Sequence, residues 1–172
     1  MRKIVLNLAV SLDGFIAGEN GEYDWCFIDL DYGMTEFLQQ IDAILLGRKS
    51  YEVFLAAEAD PYPGTTKYVV SNTLKTESEG VVILNGNLEA QIKEIKQLEG
   101  KDIYLFGGAD LTNSLLEIGL VDELQLSVHP LLLGKGKPLF QSFDERRKLS
   151  LLEVKEYPTG LVQLFYQVES RR

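Results

Sequence analysis

A chain of 172 residues with 45% apolar and 25% charged side chains has an ordinary globular composition and enough length to bury its own core, so no disordered or fibrous class is required. The 17 cations against 26 acids leave a formal charge of −9, which disfavours unspecific binding to nucleic acid or anionic membrane. One cysteine, Cys26, and one histidine, His129, exclude an internal disulfide, a cysteine-type zinc site and a histidine-rich metal site.

The first predicted element is Lys3–Val10, KIVLNLAV. Cations precede it, but the apolar stretch is short, is polar at Asn7 and lacks a small-residue cleavage site, so it reads as a strand buried on both faces and not as a leader. Ala43–Leu46, Lys67–Ser71, Val81–Leu84 and Ile103–Phe106 are further short apolar strands. Between them, Tyr32–Ile41, Lys49–Ala57 and Leu88–Leu98 carry apolar residues at three- and four-residue spacing, which predicts helices with one buried face. This alternation predicts a mainly parallel sheet with helices on both sides.

The last third changes character. A helix at Leu111–Ile118 leads to a strand at Glu123–Val128, a long loop containing GKGKPLF, and two apolar runs flanking the turn sequence Tyr157-Pro158-Thr159-Gly160. Those runs predict an antiparallel hairpin on the edge of the sheet, which is therefore mixed. Leu, Val and Phe on such an edge are an aggregation hazard that a homodimer would cover. No stretch approaches 18 apolar residues, and the expectation is one soluble domain over residues 1–172 in a reducing cytoplasm.

Chemistry enters at three strand ends. The apolar run AILL stops at Gly47, and Arg48, Lys49 and Ser50 follow where a helix begins. A helix start offers unpaired N–H groups and partial positive charge, so two cations there break the usual preference unless an anion binds or the cations pair with acids such as Glu52. The second end is Phe106-Gly107-Gly108-Ala109-Asp110, where paired glycines remove the Cβ atoms that would hold a phosphate away. The third, Ser71-Asn72-Thr73, supplies hydroxyl and amide groups. In a parallel sheet all three lie on the carboxyl side, where open α/β sheets bind ligands, and together they point to a phosphorylated, dinucleotide-sized molecule. Neither a G-x-G-x-x-G nor a P-loop motif is present.

The ordered segments NLAVSLDGFIAGENG, DAILLGRKSYEVF, KYVVSNTL and IYLFGGADLTNSLLEIGLVDELQLSVHPLLLGKGKPLF resemble the dihydrofolate reductase-like superfamily. Within it they are most similar to the reductase domain of the bifunctional riboflavin-biosynthesis deaminase/reductase and its stand-alone relatives. The resemblance implies an α/β fold, a three-layer α/β/α sandwich with a mixed, mostly parallel sheet. It also implies NADPH as cofactor and hydride transfer to a small heterocycle such as 5-amino-6-(5-phosphoribosylamino)uracil. Dihydrofolate reduction and non-catalytic nucleotide binding on the same fold stand as alternatives.

By the same resemblance, Gly47, Arg48, Lys49 and Ser50 meet the cofactor phosphates, Arg48 and Lys49 favouring a 2′-phosphate, while Ser71, Asn72 and Thr73 line the adenosine side. Phe106, Gly107, Gly108, Ala109, Asp110 and Leu111 wrap the pyrophosphate and nicotinamide ribose. Ala9, Val10, Ile16 and Ala17 lie against the nicotinamide ring, although Ala9 and Val10 are equally good core residues. Asp29 and Asp31 precede the first helix, where one of them would anchor a pyrimidine or pterin edge or simply cap the helix. Asp13 of SLDG is either a third candidate acid or a turn former. Trp25 is either a stacking platform or a pocket wall, and His129 at a strand end reads as a structural hydrogen-bonding residue.

Overall fold

The computed structural model describes residues 1–76 and 78–170. In chain order the elements are β1 (Ile4–Ser11), β2 (Phe15–Ala17), α1 (Met34–Gln39), β3 (Ile41–Gly47), α2 (Arg48–Leu55), β4 (Thr66–Val70), β5 (Val81–Leu84) and α3 (Leu88–Gln97). They continue with β6 (Asp102–Gly107), α4 (Ala109–Glu117), β7 (Glu123–His129), β8 (Lys137–Pro138), β9 (Leu149–Glu156) and β10 (Val162–Val168).

Eight strands form one sheet in the order β5-β4-β3-β6-β1-β7-β10-β9. Every pairing from β5 to β7 is parallel, and β10 then runs antiparallel to both β7 and β9. This is the mixed α/β sandwich with an edge hairpin that the residue pattern predicts. The hairpin closes at Gly160, whose φ of 86° is ready for glycine and whose N–H donates to the Tyr157 carbonyl at 2.9 Å.

The two-residue alternation of the central strands builds a core on each face of the sheet. On one face Ile4 and Leu6 of β1, Leu45 of β3 and Leu105 of β6 meet Ile92 and Ile95 of α3 and Leu115 and Leu116 of α4. On the other, Val5, Ile44, Leu46, Val69 and Tyr104 meet Phe37 of α1 and Tyr51 of α2. Full burial of each aliphatic side chain contributes about 1.5–3 kcal/mol, so these two layers dominate the stability of the sandwich. At the amino edge Lys96 is 6% exposed, and its ammonium donates to Asp122 at 2.6 Å while Asp122 also accepts from the Ile4 amide at 2.7 Å. One charge pair, buried on its lysine side, thus ties α3 to the starts of β1 and β7.

Several boundaries differ from the sequence expectation. The predicted first helix over Tyr32–Ile41 contracts to Met34–Gln39, because Tyr32 and Gly33 adopt left-handed φ values of 49° and 78° and Ile41 already belongs to β3. The loop containing GKGKPLF is not free of structure. Lys137–Pro138 pair with Phe15–Ala17 in a small two-stranded sheet, too short for any periodicity to reveal. Gly136 permits this close approach, since a Cβ there would stand 2.2 Å from the Ala17 carbonyl oxygen. The edge strand β9 leaves Leu149, Leu151, Leu152 and Val154 exposed. Among the described residues no helix is long and apolar enough to cross a membrane.

Leu105→Ala, at a site with no exposure, is expected to lower unfolding free energy by about 2–5 kcal/mol in urea titrations. Leu152→Ala, on the outer strand, is expected to stay within about 0.5 kcal/mol of the parent.

Candidate active site

The parallel strands bring their carboxyl ends to one edge, and the predicted phosphate turns meet there. β3 and β6 are neighbours with Leu46 opposite Gly107, and Gly47 is opposite Val70 of β4. A Cβ on Gly47 would lie 4.0 Å from the Gly107 carbonyl oxygen, and the Ser50 hydroxyl donates to that same oxygen at 3.4 Å. Gly47 and Gly108 are the N-cap residues of α2 and α4, and neither helix start receives a side-chain cap. Two sets of unpaired helical N–H groups therefore open side by side.

The peptide between Gly107 and Gly108 is cis, and Gly107 has a φ of 96°. A Cβ on Gly107 would press to 3.2 Å from the Thr112 hydroxyl, whereas one on Gly108 would meet nothing within 4 Å. Gly108 thus faces open space that any side chain would fill, and the geometry fits the approach of a phosphate to the backbone.

This edge borders a cleft of about 820 Å³. Of the residues singled out from the sequence, Ala9, Ile16, Ala17, Asp31, Ser50, Phe106, Gly108 and His129 line it. Others lie beside it or elsewhere. Arg48 is exposed and pairs with Glu52 at 2.6 Å, the alternative the sequence left open, while Lys49 is exposed on the same turn. Ser71 is buried and its hydroxyl accepts from the Thr73 and Leu74 amides at 3.2 and 2.9 Å, so it shapes the β4 turn, leaving Asn72 and Thr73 exposed. Val10 and Leu111 lie in the core on the face of the sheet away from Ala9. Ala109 is half-buried at the start of α4, and the Asp110 carboxylate accepts from Gln141 at 2.9 Å.

The three candidate acids separate clearly. Asp13 accepts from the Ser11 hydroxyl at 2.6 Å and from the Leu133 and Gly134 amides at 3.1 and 2.8 Å, so it clamps the loop between β7 and β8 and stands outside the cleft lining. The Ser11 hydroxyl holds its carboxyl below the usual carboxylate range. Asp29 accepts from the Tyr32 hydroxyl at 2.7 Å and also stands outside the lining. Only Asp31 of the three lines the cleft. Its oxygens accept from the Thr35 hydroxyl at 2.7 Å and the Thr35 amide at 3.1 Å, and the hydroxyl bond above all holds its carboxyl low and ionised.

Ser127 and Gln163, which the sequence reading left unassigned, also line the cleft. Ala9, Ser127 and Gln163 sit in register across β1, β7 and β10. Gln163 donates to the Tyr32 carbonyl at 2.7 Å and the Ser127 hydroxyl at 3.1 Å, and accepts from the Tyr157 hydroxyl at 2.9 Å. It ties the turn that carries Asp31 to the sheet. Alternation places these three on one face, but only the register of three separated strands makes them a row.

His129 has the structural role its strand-end position predicts. Its Nδ1 faces the Ser127 carbonyl at 2.9 Å, and its Nε2 lies 3.1 Å from the Phe27 amide, which donates to it. The ring is therefore the neutral tautomer with the proton on Nδ1. Trp25 stands edge-on to this ring at 5.2 Å and Phe27 packs against it at 4.9 Å. Trp25 is thus a wall behind the cleft and does not line it, while Tyr23, Cys26 and Phe27 from the same loop do. Burial pushes the Cys26 thiol up, so it is a poor nucleophile at neutral pH. Among the described residues there is no cluster of His, Cys, Asp and Glu able to hold a metal.

With this geometry in place, comparison with known proteins is decisive. The family model described as the RibD C-terminal domain matches residues 2–163. The chain belongs to that family. It is 42% identical over 177 residues to the uncharacterized protein YyaP of Bacillus subtilis (strain 168), covering 96% of this chain and 94% of that one. A solved protein of Shewanella sp. PV-4, provisionally assigned to riboflavin biosynthesis, superposes with a TM-score of 0.85 at 27% identity, over 98% of this chain and 99% of that one. The dihydrofolate reductase of Enterococcus faecalis, solved with NADP(H) and RAB-propyl, has a TM-score of 0.66 at 19% identity over 98% of this chain and 97% of that one, a likeness of fold. The family thus sits within the dihydrofolate reductase-like architecture.

Burial lowers the His129 pKa from its ordinary value of 6.5. The unfolded chain then binds the proton first, so His129 stabilises the fold fully above pH 6.5, and that contribution declines as pH falls below it towards the lower folded value. Urea titrations across this range are expected to show the decline in the parent and a flatter profile in His129→Gln, whatever the absolute stability of the variant.

Proposed function

We propose that this protein is an oxidoreductase that binds NADPH along the α2 and α4 starts and reduces a small nitrogen heterocycle in the adjoining cleft. The observation that carries the reading is the pair of uncapped helix starts at Gly47 and Gly108, set side by side on neighbouring strands with open space over Gly108. Two phosphates joined in one molecule match two adjacent anion sites better than any single inorganic ion does. Family membership and the NADP(H) complex of the structural neighbour support the choice of a nicotinamide cofactor.

In this reading the backbone amides of α2 and α4 hold the pyrophosphate and Ser50 orients the Gly107 carbonyl beneath it. Arg48 and Lys49 meet a 2′-phosphate. The Arg48–Glu52 pair is exposed and of the type worth about 0.3–0.5 kcal/mol, so a phosphate bearing up to two negative charges displaces Glu52 readily. Ala9, Ile16, Ala17 and Phe106 wall the end of the cleft where the nicotinamide ring belongs. When bound, that ring supplies the hydride, and the protein supplies alignment and exclusion of water. Asp31, held ionised by Thr35, is the group placed to accept N–H donors from the substrate, with Ser127 and Gln163 beneath it.

The test is ligand-induced thermal stabilisation. NADPH at about 100 times its dissociation constant is expected to stabilise the chain by about 2.7 kcal/mol. The variant carrying Arg48→Ala and Lys49→Ala is expected to lose most of its preference for NADPH over NADH while still binding both. No stabilisation by either nucleotide, or an unchanged preference in that variant, would overturn the assignment.

A further inference from the structure

The segment from Lys137 to Arg147 is bonded to α4 at both ends of that helix, and one buried side chain makes the joint at its start. Asn113 is 8% exposed and lies four positions after Ala109, the first residue of α4. Its Nδ2 donates to two carbonyls, Ala109 of its own helix and Leu139 of the segment, each at 2.7 Å, and its Oδ1 accepts from the Gln141 amide at 3.0 Å. Turned over, the carboxamide would set its oxygen against two carbonyl oxygens, so its orientation is fixed. Around this joint the Gln141 side chain donates at 2.9 Å to Asp110, the acid in the first turn of α4. Arg147 donates at 2.7 Å to the carbonyl of Glu117, the last residue of the helix.

The same segment reaches the wall of the cleft. Lys137 and Pro138 pair with Ala17 and Phe15 of β2, and the Leu139 amide donates to the Gly14 carbonyl at 2.9 Å. Leu139 has no exposure and belongs to the core layer that holds Leu111 and Leu115 of α4. Ile16 and Ala17 of β2 and Gly108 at the start of α4 face the cleft from separate elements, while Asn113 stands outside its lining. The main sheet does not set the spacing between them, because β2 and β8 form a two-stranded sheet of their own. The carboxamide of Asn113 joins the two walls from behind.

We propose that Asn113 is a positioning residue for the nicotinamide half of the cofactor, fixing the β2 wall and the α4 start at one spacing so that the ring and the neighbouring phosphate are held together. This rests on the reductase reading above and adds to it a residue that touches neither cofactor nor substrate. The adenosine half, which in that reading meets Arg48 and Lys49 on α2, does not depend on the joint. An apolar side chain of similar size at Asn113 would leave the Leu139 carbonyl and the Gln141 amide without their partners. Buried polar groups so deprived turn toward water, and the segment that carries them moves off α4 and takes β2 with it. A misplacement of about 1 Å is enough to cost about a hundredfold in alignment.

Calorimetric titration of the full chain with NADPH and with adenosine 2′,5′-bisphosphate separates the two halves, since the bisphosphate carries the 2′-phosphate but no nicotinamide. In Asn113→Leu, NADPH is expected to bind at least about tenfold more weakly than in the parent. The bisphosphate is expected to stay within about twofold of its parent affinity, a split that general loss of structure would not produce. Hydrogen–deuterium exchange on the parent gives a second readout that needs no variant. NADPH is expected to slow exchange in residues 137–141, behind the cleft wall, and the bisphosphate to leave it unchanged. Equal loss of both ligands in Asn113→Leu, an unchanged NADPH affinity, or exchange in residues 137–141 that ignores NADPH overturns the proposal while the cofactor assignment stands. Where Asn113→Leu does not fold, the exchange measurement decides alone. Failure of the parent to bind either nucleotide overturns the reductase reading instead.

Discussion

Everything at this site depends on parallel strands ending together. Because β4, β3, β6 and β1 run the same way, the helices that follow β3 and β6 must both begin at the same edge, and their unpaired N–H groups accumulate there. In most helices a Ser, Thr, Asp or Asn side chain answers those donors. Here the capping positions are Gly47 and Gly108, which answer nothing and keep the approach clear. The fold has left two positive helix ends unsatisfied by its own side chains, and an anionic ligand is the natural completion.

The opposite wall follows a different physical rule. It is built from the loop between β2 and α1, which is held to the sheet by side-chain hydrogen bonds. His129 accepts the Phe27 amide, and Gln163 bridges the Tyr32 carbonyl to Ser127 and Tyr157. Both anchoring side chains are buried, 2% and 8% exposed, so their hydrogen bonds are costly to leave unmade and correspondingly directive. Asp31 inherits its position from this network and its ionisation from Thr35. One wall is thus specified by backbone geometry and the other by side chains.

Legibility in the sequence tracked the range of the interaction responsible. The strands and helices were readable because alternation and three- and four-residue spacing are local, and the edge hairpin because Tyr157-Pro158-Thr159-Gly160 is a local turn signal. The glycine turns were readable for the same reason. The roles of Arg48, Ser71 and Val10 were not, since each turns on a neighbour: Glu52 one helical turn away, the amides of the following turn, and the core on the far face of β1. The three aspartates looked alike as letters. Only folding sent Asp13 to the β7–β8 loop, Asp29 to Tyr32 and Asp31 to the cleft. Gln163 carried no signal at all, being one polar residue in an alternating strand.

By itself the amino-acid order determined the alternation of strand and helix, the glycine-bearing strand ends, the acidity of the first third and the likeness to a reductase family, because these are properties of neighbours along the chain. The three-dimensional arrangement decided which acid reaches the cleft, which strand ends adjoin, and how β2 finds β8 more than 100 residues away in the chain. Those outcomes depend on strand order and register, which place residues side by side through hydrogen bonds that no local stretch encodes.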